Sequence, residues 1–166
     1  LSAIVQRLCE GKNMLQFAQN FDDYLAALSE SKNRSIYIVA VKDTPGLSVT
    51  EEAAQRLKNS LGIRQDMVQK HWKSYLAVVD GGKVVFEEIS DGRIDKTLKL
   101  GKYDLQLSSA ALNVGNVAKI EVNGIEYALN RRGFNIVAID KVEGRVCDSA
   151  CLDLHLRQYA YYHKVI

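Results

Sequence analysis

The chain has 166 residues, enough for one domain with a real core and a small appendage. It is 47% hydrophobic and 25% charged, and its 22 basic and 20 acidic residues leave a formal charge of +2. That composition is ordinary for a globular protein, and without a basic stripe it argues against nucleic acid as a partner.

No apolar run approaches the ~20 residues that a membrane helix needs, so no membrane insertion is expected. The first residues lack the basic-then-apolar pattern of a signal peptide. The chain starts at Leu1 rather than Met, as a piece of a longer protein would. The single proline argues against disordered linkers.

In chain order, residues 1–10 place Ile4, Val5 and Leu8 on one side of a short amphipathic helix. Residues 14–30 repeat apolar positions at three and four (Met14, Phe17, Phe21, Tyr24, Leu25, Leu28), which predicts a second helix. Ser35 to Lys42 has the composition of a central strand, ended by Asp43-Thr44-Pro45-Gly46. Ser48 with Glu51 reads as a capping box for a helix that Gly62 closes. Asp66 to Lys70 adds a helical turn. Ser74 to Val79 is a strand, and Asp80-Gly81-Gly82 turns it into a hairpin with Lys83 to Ile89. The strand-helix-strand unit predicts a right-handed crossover and a parallel pair. Residues 90–116 are polar, with leucines that suggest one or two edge strands.

The closing stretch is the most legible. Val117 to Val122 and Ile125 to Leu129 flank Asn123-Gly124, the strongest short hairpin signal. Phe134 to Ile139 is a nearly continuous apolar run, as in a strand buried on both faces. Arg145 to Leu152 follows a turn at Lys141 to Gly144. The tail with Tyr159, Tyr161 and Tyr162 reads as a terminal strand. The fold class expected is α/β: a mixed parallel and antiparallel sheet, sandwich-like, with two or more packed helices.

Three cysteines, Cys9, Cys147 and Cys151, make no disulfide framework. On one strand Cys147 and Cys151 would share a face about 13 Å apart, at ~3.3 Å per residue. A disulfide needs Cα atoms within roughly 7 Å, so they are expected as small buried hydrophobes. The odd count suits a reducing compartment and a cytoplasmic location. No ligand spacing suggests a metal, and no cofactor is expected. Asp80-Gly81-Gly82-Lys83 lacks the spacing of a phosphate loop and leads into a strand.

Arg132-Gly133-Phe134-Asn135-Ile136, followed by Gly144-Arg145-Val146-Cys147-Asp148-Ser149 and Leu152-Asp153-Leu154, resembles the opening of the interleukin-like EMT inducer domain, also called the GG domain. The family then supplies a helix, a strand ending Val-Lys-Asp, a helix ending Leu-Gly, and a strand followed by Gly-Gly. Here these are Phe21 to Glu30, Val41-Lys42-Asp43, Leu61-Gly62, and Ser74-Tyr75 before Gly81-Gly82. They precede the signature instead of following it. The resemblance thus covers residues 21–89 and 117–155 in swapped order, which suggests a circular permutation rather than a cut across tandem copies. It divides the chain into a helical extension at 1–20 and one permuted domain at 21–166.

What the resemblance implies is a non-catalytic module that binds glycan, or docks to a protein that processes it, beside surface-polysaccharide or glycan-modifying machinery. Animal members are secretory, which would place the chain outside the cytoplasm. Asp43, Arg132 and Asp153 match the family's polar positions at strand ends. Trp72, Tyr75 and Tyr37 could offer an aromatic face for a sugar. At the family's Trp-Arg-Asp-Ser-Trp this chain has His71, Trp72, Lys73, Ser74 and Tyr75, which removes the Arg-Asp pair and puts a ligand role there in doubt. A protein-interaction or oligomerisation module using residues 1–10 and the tail is one alternative. A small α/β enzyme using Asp43 and Asp140 at strand ends is another, although the chain shows no evident nucleophile and base.

Overall fold

The computed structural model describes residues 11–166, so the helix expected at residues 1–10, with Cys9, lies outside the described residues. Among the described residues ten strands form one connected mixed sheet with two α-helices, the expected α/β class. Six strands lie side by side as β3 (Lys83–Ser90), β2 (Ser74–Asp80), β1 (Ser35–Asp43), β8 (Gly133–Asp140), β9 (Arg145–Asp153) and β10 (Ala160–Val165). The rest, β4 (Ile94–Leu100), β5 (Tyr103–Ala111), β6 (Val117–Val122) and β7 (Ile125–Glu126), join them through β5.

Strand β1 makes that junction. Along one edge it pairs with β8 from Ser35 to Lys42. Along the other it pairs with β2 from Ile36 to Ala40, then with β5 at Lys42 and Asp43. A strand that changes partners leaves backbone groups without a ladder, and buried backbone groups must be satisfied. Two serines do it here. Ser109 Oγ donates to the Val41 carbonyl at 2.6 Å and accepts the Tyr75 N–H at 2.9 Å. Ser74 Oγ accepts the Ala111 N–H at 2.9 Å.

The exchange folds the sheet over itself and creates two cores. On one face, helices α1 (Phe21–Ser31) and α2 (Glu51–Leu61) pack Tyr24, Leu25, Leu28, Leu57 and Leu61 onto Val39, Val41, Ala77, Phe134 and Ile136. On the other, Leu105, Leu107, Ile120 and Val122 cover Ile36, Ile38, Leu76 and Val137. Each large side chain so buried stabilises by about 1.5–3 kcal/mol. All eight residues of β8 are buried, as its apolar run requires.

Several local expectations need correction. Helix 14–30 is broken: Met14–Phe17 form a single 3-10 turn, and Asn20 starts α1 afresh by accepting the Asp23 N–H. Thr50, not Ser48, caps α2 through the Ala53 N–H. Asp66 to Lys70 form turns, not helix. Strand β5 is no edge, since it pairs with β1, β4 and β6. The pair flanking α2, β1 and β2, is antiparallel; the sheet's parallel contact is between β1 and β5. The reason is the connection after Gly62. It returns the chain to the C-terminal end of β1, where the Trp72 N–H meets Thr44 Oγ1 at 3.1 Å, so β2 must run back the other way.

Cysteines 147 and 151 do not share a face. A register shift opposite Ala138 and Ile139 makes Cys147 a bulged residue on the helix-facing core, beside Ala150 and Leu152. Cys151 points to the opposite side and donates to the Arg132 carbonyl at 3.3 Å. The Asn123-Gly124 turn takes the expected positive φ at both positions, 51° and 82°.

Replacing Ser109 with Ala strands the Val41 carbonyl and the Tyr75 N–H in the core. We expect a loss of about 2–6 kcal/mol, at about 1–3 kcal/mol for each of the two orphaned groups. Urea unfolding at constant m measures it. A loss below about 0.5 kcal/mol, the range of ordinary surface changes, would remove this hydroxyl from the junction's account.

Candidate functional site

The C-terminal end of β1, the N-terminal end of β8 and the C-terminal end of β9 meet at one rim of the sheet. Gly133 makes the meeting close. It sits at φ 107°, and a Cβ there would overlap the Leu152 carbonyl oxygen. Asn135, fully buried, holds the preceding turn: its side chain accepts the Arg131 N–H at 3.1 Å and donates to the Arg131 carbonyl at 2.8 Å. The residues Arg132-Gly133-Phe134-Asn135 therefore act together to present one side chain, Arg132.

Arg132 Nε and Nη2 both reach Asp153 Oδ2 at 2.9 Å. That hydrogen bond raises the Arg132 pKa, and the Asp153 and Asp43 charges act in the same direction. Asp153 Oδ1 accepts the His155 N–H at 3.0 Å. Three of the expected residues, Asp43, Arg132 and Asp153, are thus brought together. Asp43 ends β1 at φ 67°, a left-handed conformation that Asp tolerates.

Thr44, the next residue, ties the aromatic part of the rim to this group. Its Oγ1 accepts the Trp72 N–H and lies 2.9 Å from His71 Nδ1. The Trp72 and His71 rings stack at 4.8 Å between centroids, and His155 lies 5.9 Å from His71. Trp72 is 52% exposed and sits at φ 60°. A bulky residue in the left-handed region is a genuine outlier, and such strain collects at functional sites. Leu47 and Leu156, in the loops that follow Thr44 and His155, are also exposed. His71, His155 and Thr44 were not among the residues expected here. Their nearness in sequence to expected residues, Thr44 beside Asp43, His71 beside Trp72 and His155 two positions after Asp153, was the signal the sequence held.

Tyr75 and Tyr37 do not belong to the rim. Both are completely buried; Tyr75 donates to Glu87 at 2.5 Å and Tyr37 to the Leu28 carbonyl at 2.7 Å. They face the helical core because they alternate in phase with Val39 and Ala77.

Asp43 and Asp140 do not form a pair. Ser35 of β1 is opposite Asp140, and Lys42 is opposite Gly133, so the two carboxylates lie at opposite ends of the sheet. Asp140 is a buried turn staple that accepts the Val142 and Glu143 N–H groups and pairs with Arg34 at 2.8 Å. Burial pushes its carboxyl up, but the Glu143 N–H, Arg34 and the Val142 N–H outweigh that and leave it below the usual carboxylate range. Burial pushes the Cys147 and Cys151 thiols up to about 12, which leaves both protonated near neutral pH. Among the described residues no group of three or more His, Cys, Asp or Glu could hold a metal ion, and no helix is long and apolar enough to cross a membrane.

Comparison with known protein families, curated proteins and solved structures finds no match to this chain.

Replacing Trp72 with Gly relieves the left-handed strain. It should raise stability by about 1 kcal/mol, the cost of that conformation for an L-residue. Thermal unfolding checks this, and a clear loss of stability would show the stack on His71 to matter more than the strain. Asp140 gives a pH signature. A depressed pKa adds stability that is present above about pH 4 and is lost as pH falls through the folded value. Asp140→Asn should be less stable than the parent at neutral pH, with the difference shrinking below about pH 4. Urea midpoints across pH measure it, and a difference independent of pH would assign the cost to hydrogen bonding alone.

Proposed function

We propose that the rim is a carbohydrate-recognition surface and that the chain works as a non-catalytic module of the interleukin-like EMT inducer type. The observation that carries this reading is Trp72: an exposed indole held in a strained conformation by the residue that follows Asp43. A sugar ring presents an apolar face to an aromatic ring and hydroxyls around its edge. Asp43 and Asp153 accept from hydroxyls, and Arg132 donates to them. Arg132 is aimed by its pair with Asp153, so little side-chain freedom is lost on binding.

Two further features support the reading. Strands β8 and β9 carry the residues resembling the family's opening; β8 pairs directly with β1 and β9 pairs with β8, so the opening is continuous with β1 as a permuted order requires. The carboxylates that an enzyme would need as partners, Asp43 and Asp140, are separated by the length of a strand. Tyr75 has no part in the proposed surface. The physiological partner would be a glycan or the glycan-bearing part of a processing protein.

The exposed Leu47, three residues after Thr44, and the exposed Leu156, next to His155, favour, as a second reading, a protein-docking role for the same rim. A glycan array probed with the whole chain separates the two. On the carbohydrate reading the parent binds a defined set of sugars. Arg132→Ala, Asp43→Ala and Trp72→Ala each weaken binding at least tenfold, about 1.4 kcal/mol. A folded parent that binds no sugar, or mutants that bind as well as the parent, would turn the proposal toward protein docking.

A further inference from the structure

Away from the rim, edge strand β10 is held against α1 by aromatic contacts. Phe21 meets Tyr159 at 5.3 Å between centroids, Tyr24 meets Tyr161 at 5.2 Å, and Tyr161 stacks on His163 at 5.6 Å. Beneath them lies Asp148 of β9, 1% exposed. Its Oδ1 is hydrogen-bonded to His163 Nε2. Its Oδ2, the hydroxyl of Tyr24 and the hydroxyl of Tyr161 are all buried, and none has a hydrogen-bond partner among the described residues.

Three unsatisfied polar atoms on three neighbouring side chains are not three separate accidents. Native interiors leave few such atoms, and each calls for an explanation, of which a bound water or ion is one. The chemistry of the three is complementary. The carboxylate oxygen only accepts, while each tyrosine hydroxyl can donate one hydrogen bond and accept others. Direct contact would have satisfied them, yet neither hydroxyl makes a hydrogen bond to the carboxylate. A small bridging molecule with both donors and acceptors resolves all three at once.

We propose that Asp148 Oδ2, Tyr24 Oη and Tyr161 Oη form a binding site for one internal water molecule that ties β10 to β9 and α1. The ligand is water rather than a cation. His163 already faces the Asp148 carboxylate, and a cation would force both hydroxyls to accept, whereas a water donates to Oδ2 and lets them share the rest.

An atomic-resolution crystal structure of the whole chain, with water–protein cross-relaxation by NMR, tests this. The expected result is one water within hydrogen-bonding distance of Oδ2 and both hydroxyls. It should recur in crystals grown from two different salts. Its long-lived cross-peak should vanish in the double variant Tyr24→Phe, Tyr161→Phe. A tyrosine hydroxyl bonded directly to Asp148 with no water between, or an anomalous signal marking a metal ion, would overturn the proposal. The parent structure decides the matter even if the double variant does not fold.

Discussion

The exchange of partners along one edge of β1 is the constraint on which the rest of this structure depends. A strand flanked by the same neighbours throughout would give a flat sheet with one helical layer. Here β2 gives way to β5 within two residues, and the second half of the sheet is carried over the face that helices leave bare. Both cores follow from that step. It requires the Ser74 and Ser109 hydroxyls in a region that is otherwise apolar, because a carbonyl or N–H left unpaired there would cost more than a hydroxyl side chain does.

The rim inherits its shape from the same event. The chain that leaves α2 comes back to the end of β1, and this brings Trp72 and His71 to Thr44. Stability is not the purpose of the groups gathered there. A partly exposed ion pair such as Arg132 with Asp153 is worth about 1 kcal/mol or less. A left-handed Trp costs roughly as much. The two cores supply many times that amount, so the rim can hold strained and polar groups without endangering the fold.

Much of the architecture was legible in the sequence. Strands buried on both faces, β1 and β8, leave unbroken apolar runs that no other element explains as well. Asn123-Gly124 and Gly81-Gly82 mark their turns through backbone demands that few residues meet. Strand β5 was obscure because its first half alternates Asp104, Gln106 and apolar residues, the pattern of a half-exposed strand; nothing in such alternation says how many neighbours it has. The direction of β2 was misjudged for a related reason. A strand-helix-strand order favours a parallel pair, but a long irregular return after the helix reverses the outcome, and its length alone does not reveal where it lands. Of the expected site residues, the charged ones could be placed because strand ends are readable. Tyr75 and Trp72 are three positions apart and chemically alike, yet one is core and the other surface, and only the turn between them decides which.

The bulge at Cys147 has a consequence for how this protein can be watched. By adding one residue to β9 it sends Cys147 into the helix-facing core and leaves Cys151 against the turn at Arg132. Both thiols are buried and protonated, so an alkylating reagent reaches either one only when the surrounding structure opens. Among the described residues the chain therefore carries two native reporters at separate addresses. One is governed by the lifting of the helices, the other by the loosening of the rim, and their labelling rates read the two openings independently without any foreign probe.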